Sequence, residues 1–196
     1  MQPGLNAAEV VDRVLREHKL AALARMVTLD AKLAPAVVVG EASKLGTIVD
    51  NLVSNAVKFT PDGGTVTVRA RLDGESLVLD VADTGPGVPP EERARIFDAF
   101  YQGATPQGSL VRGTGIGLSV VQEFVQAHGG TIAIVDGEFP GAHFRVRLPV
   151  GGAGGPGARA VPVVPAVGAE AFPGQRMGQG AGAEAGRGRA GNSAGV

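Results

Sequence analysis

The chain contains no cysteine, which excludes disulfides, thiolate metal sites and a cysteine nucleophile together. It carries no surplus of either charge: 18 Lys and Arg stand against 19 Asp and Glu, for a formal net charge of −1. That balance argues against a broad electrostatic footprint for nucleic acid or for an anionic membrane. No apolar run approaches the roughly 18 residues that a membrane span requires. The opening Met1-Gln-Pro-Gly-Leu-Asn6 lacks the basic start and apolar core of a signal peptide. The expectation is a soluble cytoplasmic protein, or the cytoplasmic part of a membrane-bound one, with no nucleic-acid partner and no membrane contact of its own.

What is present divides near residue 150. From Gly151 to Val196, 14 Gly, 11 Ala and 4 Pro fill 29 of 46 positions, and Phe172 is the one aromatic. Such a segment cannot bury enough apolar surface to offset the roughly 1–2 kcal/mol per residue of backbone ordering. A Gly/Ala/Pro-rich disordered tail is expected over 150–196, leaving a working domain of average size over 1–149.

Within that domain, helix and strand patterns alternate. Asn6 is a candidate cap for a helix from Ala7 to about Ala24, with Val10, Val11, Val14, Leu15 and Leu20 assigned to its apolar face. Short strands are predicted at Met26–Leu29 and Val37–Val39. The strongest helical signal runs from Glu41 to Lys58, where Leu45, Ile48, Val49, Leu52, Val53 and Ala56 form one apolar stripe. Thr65 to Leu72 alternates strictly, Asp73-Gly74 is a hairpin signal, and Leu77, Leu79 and Val81 make the return strand. A third helix is predicted from about Thr114 to His128, closed by Gly129-Gly130. A final strand pair uses Ile132 and Ile134, then Phe144, Val146 and Leu148. Helices on one face of a mixed, mostly antiparallel sheet make an α+β two-layer sandwich.

The chemistry begins where the strongest helix breaks its own pattern. Asn51, Asn55 and Lys58 fall within about 60° of one another on a helical wheel, beside the apolar stripe. Asn is a poor helix former, so two of them at i and i+4 in mid-helix are unfavourable by propensity. A side-chain amide oxygen suits a hard cation such as Mg²⁺, which takes its other ligands from waters and phosphates. Lys58, one turn on, is placed to neutralise a phosphate oxygen; a solvated helix face is the alternative. Downstream, Asp83-Thr-Gly85-Pro-Gly87 puts a carboxylate at a strand end beside two glycines, which reads either as a ligand wall or as an acidic turn. Arg112-Gly113-Thr114-Gly115-Ile-Gly117-Leu118 then opens the third helix. Free N–H groups there would point at an anion. The run fails the dinucleotide fingerprint, because no βαβ unit surrounds it, and it lacks the Gly-Lys-Ser/Thr of a P-loop.

Taken together, these segments are specific. Asn51-Leu-Val-Ser-Asn55-Ala-Val-Lys58-Phe59-Thr-Pro61, Asp83 to Gly87, Ile96-Phe97-Asp-Ala-Phe100-Tyr101 and Gly113 to Leu118 resemble the N, G1, F and G2 boxes of the sensor histidine kinase ATP-binding domain. They come in the family's order, and the closing Gly141-Ala-His-Phe144 to Pro149 resembles its last strand. The resemblance implies the Bergerat fold shared with Hsp90, MutL and gyrase-type ATPases, with ATP and Mg²⁺ as ligands. By that resemblance Asn55 is the Mg²⁺ ligand, Asn51 assists at the triphosphate and Lys58 contacts phosphate; these three form the catalytic set. Phe59 stands where the family often has Tyr, and Asp83 takes the adenine amino group against a wall of Gly85 and Gly87. Gly113, Gly115 and Gly117 bracket the phosphates, and Arg112, Thr114, Leu118, Phe97, Phe100 and Tyr101 complete the nucleotide-binding set. Phe97 and Phe100 pack at the base of a lid running from Tyr101 to Arg112, with core packing as their other reading.

Related ATPases that hydrolyse to water carry a Glu four residues before the metal-binding Asn. Here that position is Asn51, whose amide is no base at neutral pH. The resemblance therefore implies transfer of the γ-phosphoryl group to a histidine on a dimerisation domain, with a response regulator downstream. His18 is a poor acceptor, because it lies on the domain's first helix and Lys19 follows it where the family has an acid. His128 and His143 read as structural or exposed. An anti-sigma-factor type serine kinase and a non-catalytic ATP-binding module are the alternatives.

Overall fold

Asn6 begins the first helix as its propensity predicts: its side-chain oxygen accepts from the Ala8 N–H at 3.2 Å. The computed structural model describes residues 4–39, 41–103 and 114–150; the tail over 151–196 and most of the segment read as a lid lie outside them. In chain order the elements are β1 (Gly4–Asn6), α1 (Ala7–Ala24), β2 (Thr28–Leu33), β3 (Val37–Val39), α2 (Ala42–Phe59), β4 (Thr65–Asp73), β5 (Ser76–Asp83), α3 (Gly117–Ala127), β6 (Thr131–Ile134) and β7 (His143–Pro149). Among the described residues, no helix is long and apolar enough to cross a membrane.

Five strands form the main sheet in the order β2-β4-β5-β7-β6. Only β2 and β4 pair in parallel; the other three pairings are antiparallel. Asp73 pairs with Ser76 across the hairpin, and Gly74 takes φ +58° there, a left-handed value that a residue with a Cβ adopts reluctantly. Val66, Val68, Ala70, Leu77, Leu79, Val81, Phe144 and Val146 face the helices and join their apolar stripes in one core. The α2 stripe from Leu45 to Ala56 is buried in full. Burying such aliphatic side chains contributes about 1.5–3 kcal/mol each as an upper estimate. Leu52→Ala should accordingly cost about 2–5 kcal/mol of unfolding free energy, read from a denaturant titration.

Three expectations are corrected, and one strand is added. Leu20 is 79% exposed, because it lies about 150° around α1 from the middle of the buried stripe. The second strand begins at Thr28 and runs to Leu33, since Met26, at φ +54°, turns the chain first. The third helix begins at Gly117, because Gly115 at φ +70° interrupts any earlier start. Lastly, β1 was not anticipated; it pairs with β3 from Gly4–Val39 to Asn6–Val37, too short a segment to show alternation.

The second face of the main sheet is partly sealed as well. Val78, Asp80, Ala82 and His143 are buried there, away from the helices. Residues of the β6–β7 connection lie over them: Phe139 meets the His143 ring edge-on, centroids 5.0 Å apart, and Glu138 pairs with Arg69.

Candidate functional site

The flank of α2 carries the two amides. Asn51 is half-buried, and its Nδ2 donates to the Thr47 carbonyl at 2.8 Å. That bond fixes the amide and leaves Oδ1 turned toward α3. A Cβ at Gly117 would lie 2.7 Å from that oxygen, so a glycine is what lets the α3 N-terminus approach α2. Asn55, one turn on, is also half-buried, and among the described residues it makes no comparable bond to its own helix. Its carbonyl oxygen is available to an incoming ligand.

The end of α2 is fixed from a distance. Arg25 Nη1 donates to the carbonyls of Val57 (2.8 Å) and Lys58 (2.7 Å), while Nε and Nη2 hold Asp62. A cation satisfying the last carbonyls is favourable both as a cap and against the helix dipole. Lys58 places its ammonium 4.9 Å from the centroid of the partly exposed Phe59 ring. Partial burial lowers its pKa, a cost that an adjacent phosphate would relieve.

Asp83 terminates β5 in a buried position. Its Oδ1 accepts two backbone N–H bonds, from Gly85 at 2.8 Å and Ala142 at 3.0 Å. Burial raises its pKa, and those two bonds offset the rise only in part. With Oδ1 committed, Oδ2 is the atom left for a ligand donor. The glycines around it make the space: a Cβ at Gly85 would lie 2.8 Å from the Phe59 carbonyl oxygen, and Gly87 sits at φ +78° against Gly141. The acidic strand end and the end of α2 thus meet.

The structure brings the third glycine segment to the same place. Gly115 accepts from the Phe100 N–H at 2.8 Å, and a Cβ there would meet Phe100 and Tyr101 backbone atoms at 2.8 Å. Ile116 caps α3 with no side-chain hydrogen bond, so the first N–H groups of the helix are not satisfied by a cap. Thr114 is exposed, and Leu118 is half-buried against the core. Arg112 and Gly113 lie outside the described residues. Phe97 is buried and meets Phe144 edge-on with centroids 6.4 Å apart. Phe100 does not share that packing: it is 74% exposed at φ +65°, turned outward by the bond to Gly115. Tyr101 is half-buried, under the Arg95 guanidinium.

Two contributors escaped the sequence reading as site residues. Arg25 gives no local sign of its role, because it acts on carbonyls 32 and 33 residues away. Gly141 donates its N–H to the Asp83 carbonyl at 3.1 Å, and a Cβ there would fall 2.2 Å from Asp83 Oδ1 and 2.6 Å from Gly85 N. A glycine two residues before the last strand was the available signal. Gly141→Ala should cost about 2–3 kcal/mol of stability, since backbone on the opposing side cannot yield, and should weaken nucleotide binding; denaturant midpoint and ligand titration check both. Of the histidines, His128 donates Nδ1–H to the Phe124 carbonyl at 2.6 Å, His18 contacts Asp50 at 2.7 Å, and His143 is fully buried.

A resident metal centre of carboxylates and imidazoles is not what this donor set offers. Among the described residues, no group of three or more His, Asp or Glu converges on one point. The single amide oxygen of Asn55 fits a Mg²⁺ ion that arrives with phosphates and waters as its other ligands.

Residues 40–152 match the family described as "Histidine kinase-, DNA gyrase B-, and HSP90-like ATPase". Sensor histidine kinase GlrK of Escherichia coli (strain K12) is 35% identical over 142 residues, covering 72% of this chain and 30% of the relative. The signal transduction histidine-protein kinase/phosphatase MprB of Mycolicibacterium vanbaalenii is 38% identical over 146 residues, covering 72% of this chain and 29% of the relative. The chain therefore spans less than a third of either relative's length. Among solved structures, the mycobacterial sensor histidine kinase MprB superposes with a TM-score of 0.67 at 32% identity, covering 75% of this chain and 97% of that one. Full-length ShkA, solved in complex with AMPPNP, gives a TM-score of 0.66 at 29% identity, covering 78% of this chain and 32% of that one.

Proposed function

Because the chain belongs to the family of histidine kinase-, DNA gyrase B- and HSP90-like ATPases, and within it to the sensor histidine kinase ATP-binding domains, we propose that it binds ATP with Mg²⁺ and donates the γ-phosphoryl group to a protein histidine. The acceptor imidazole belongs to a dimerisation domain, and an aspartate of a response regulator takes the group onward. On this reading the reaction takes place on the cytoplasmic side.

The observation that carries this reading is the convergence on one rim of Asp83 Oδ2, the α2 amides and the α3 N-terminus. Asp83 accepts from the adenine amino group, with Gly85 and Gly87 keeping the wall thin. Lys58 and the first N–H groups of α3 neutralise phosphate oxygens. Asn55, with Asn51 beside it, would hold the Mg²⁺, which when bound would supply positive charge beside the phosphates. Asn51 offers no base to water, since its Nδ2 is bound to Thr47 and its carbonyl cannot take a proton at neutral pH. Catalysis is then positioning and charge neutralisation: the imidazole nitrogen attacks the γ-phosphorus, the bond to the β-phosphate oxygen breaks, and ADP leaves.

Incubating the protein with γ-labelled ATP and a separately made histidine hairpin tests this. Acid-labile label on the hairpin is the expected result. Acid-stable label on a serine-bearing regulator, or nucleotide binding without any transfer, would contradict it.

A further inference from the structure

Behind the Asp83 carboxylate, on the sheet face away from the helices, lies a buried polar cluster that the proposed chemistry does not use. His143 is 0% exposed, and its Nε2–H donates to Asp80 Oδ1 at 2.8 Å; Arg145 Nε donates to the same oxygen at 2.6 Å. Phe139 closes over the imidazole edge-on and lies in turn under the Arg69 guanidinium, 4.9 Å from its ring. Among the described residues, His143 Nδ1 is enclosed with no hydrogen-bond partner. An enclosed, half-satisfied imidazole is poor as a stabiliser, because an apolar side chain of similar volume avoids the desolvation cost. What a directional buried bond does supply is position.

The strand register shows what is positioned. Asp80 pairs with Arg145 and Ala82 with His143, so the next residue on β5 is Asp83 and the preceding one before β7 is Ala142. Those two neighbours make the contacts that aim the carboxylate: Ala142 N–H donates to Asp83 Oδ1 at 3.0 Å, and Asp83 N–H donates to the Ala142 carbonyl at 2.9 Å. His143 is the first residue of β7, directly after a connection without regular structure. Its side-chain bond to Asp80 ties the first residue of this strand to β5 beyond the backbone ladder, and Arg145 adds a second such bond two residues on.

We infer that His143 is a positioning residue for base recognition, holding Ala142, and through it the Asp83 carboxylate, in register to accept from the exocyclic amino group of adenine. The inference rests on the ATP-binding reading above. Its consequence is selective: loosening His143 weakens a nucleotide that donates to Asp83 and spares one that does not.

The test is a titration of wild type, His143→Leu and His143→Gln with ATP and with purine riboside triphosphate, which lacks the 6-amino group, both with Mg²⁺. His143→Leu is expected to lose about tenfold in ATP affinity, equivalent to about 1.4 kcal/mol, with the purine analogue changed less than about twofold. Gln, which can present a donor near the Nε2 position, should restore most of the ATP affinity. If His143→Leu does not fold, Phe139→Leu removes the ring packed on the imidazole and is judged by the same two ligands. Equal weakening of both nucleotides, or undiminished ATP binding, overturns the inference alone. Wild-type protein that binds both nucleotides equally overturns the Asp83 assignment with it. Wild type that binds neither overturns the ATP-binding reading itself.

Discussion

Asp83→Asn should weaken ATP binding on the order of a hundredfold, the cost of losing a hydrogen bond to a charged acceptor and gaining a mismatched donor. The geometry makes the substitution worse than a simple deletion. The N–H groups of Gly85 and Ala142 both donate to Oδ1, so an asparagine must turn its carbonyl toward them. Its NH₂ then occupies the Oδ2 position and faces the adenine amino group, donor against donor. The fold should persist, because the two backbone bonds still have an acceptor.

The same geometry gives a pH dependence with a definite sign. Burial raises the Asp83 pKa, so the carboxyl protonates at a higher pH than an ordinary aspartate, whose value is about 3.9. The proton must sit on Oδ2, since Oδ1 is committed to two donors, and there it converts the acceptor into a donor. ATP affinity should therefore begin to fall, on acidification, above the usual aspartate range, and Asp83→Asn should lack that step. Asp80 behaves oppositely. Burial pushes its carboxyl up, but hydrogen bonds from His143 and Arg145, together with the Arg145 charge, outweigh burial and hold it below the ordinary value. Its stabilising contribution is complete above the unfolded-state pKa and disappears as the pH falls through the lower folded value. Loss of binding thus precedes loss of the Asp80 contribution as acid is added.

Asn55→Ala should remove the Mg²⁺ dependence of ATP binding, with affinity in the presence of the ion falling on the order of a hundredfold. The unfolding free energy should stay level or rise slightly, because Ala is favoured over Asn in a helix interior by about 0.5 kcal/mol and the half-buried amide lies outside the core. Titrating ATP with and without a chelator separates the two effects: the wild type should respond to metal removal and the variant should not. A variant that keeps wild-type affinity and metal response would show that Asn55 is not the ligand.

What could be read from the chain alone follows the range of the interactions. The α2 stripe, the flank of Asn51, Asn55 and Lys58, and the hairpin at Gly74 each depend on spacings of a few residues, and the structure places all of them as expected. The meeting of Asp83 with the end of α2, and of Gly117 with Asn51, was legible only through the order of the four boxes. Contacts made across long separations left no local trace. Ala142 reaches Asp83 over 59 residues and His143 reaches Asp80 over 63. His143 sits in an alternating strand at a position that pattern alone assigns to solvent, yet Phe139 covers it. Phe100 shows the reverse: an aromatic in a box next to a core Phe97, exposed because the Gly115 bond turns its backbone to positive φ. Leu20 failed for a simpler reason of angle, since α1 buries its other side.

On the proposed function, one carboxylate oxygen, two helix amides and a glycine-opened helix form a single seat for ATP and its metal. Isothermal titration of the folded protein with ATP, in buffer containing Mg²⁺ and again after chelation, tests it most directly. One-site binding that saturates below about 1 mM nucleotide and weakens when the metal is removed is the expected result. Folded protein that shows no heat of binding at millimolar ATP with Mg²⁺ would contradict it.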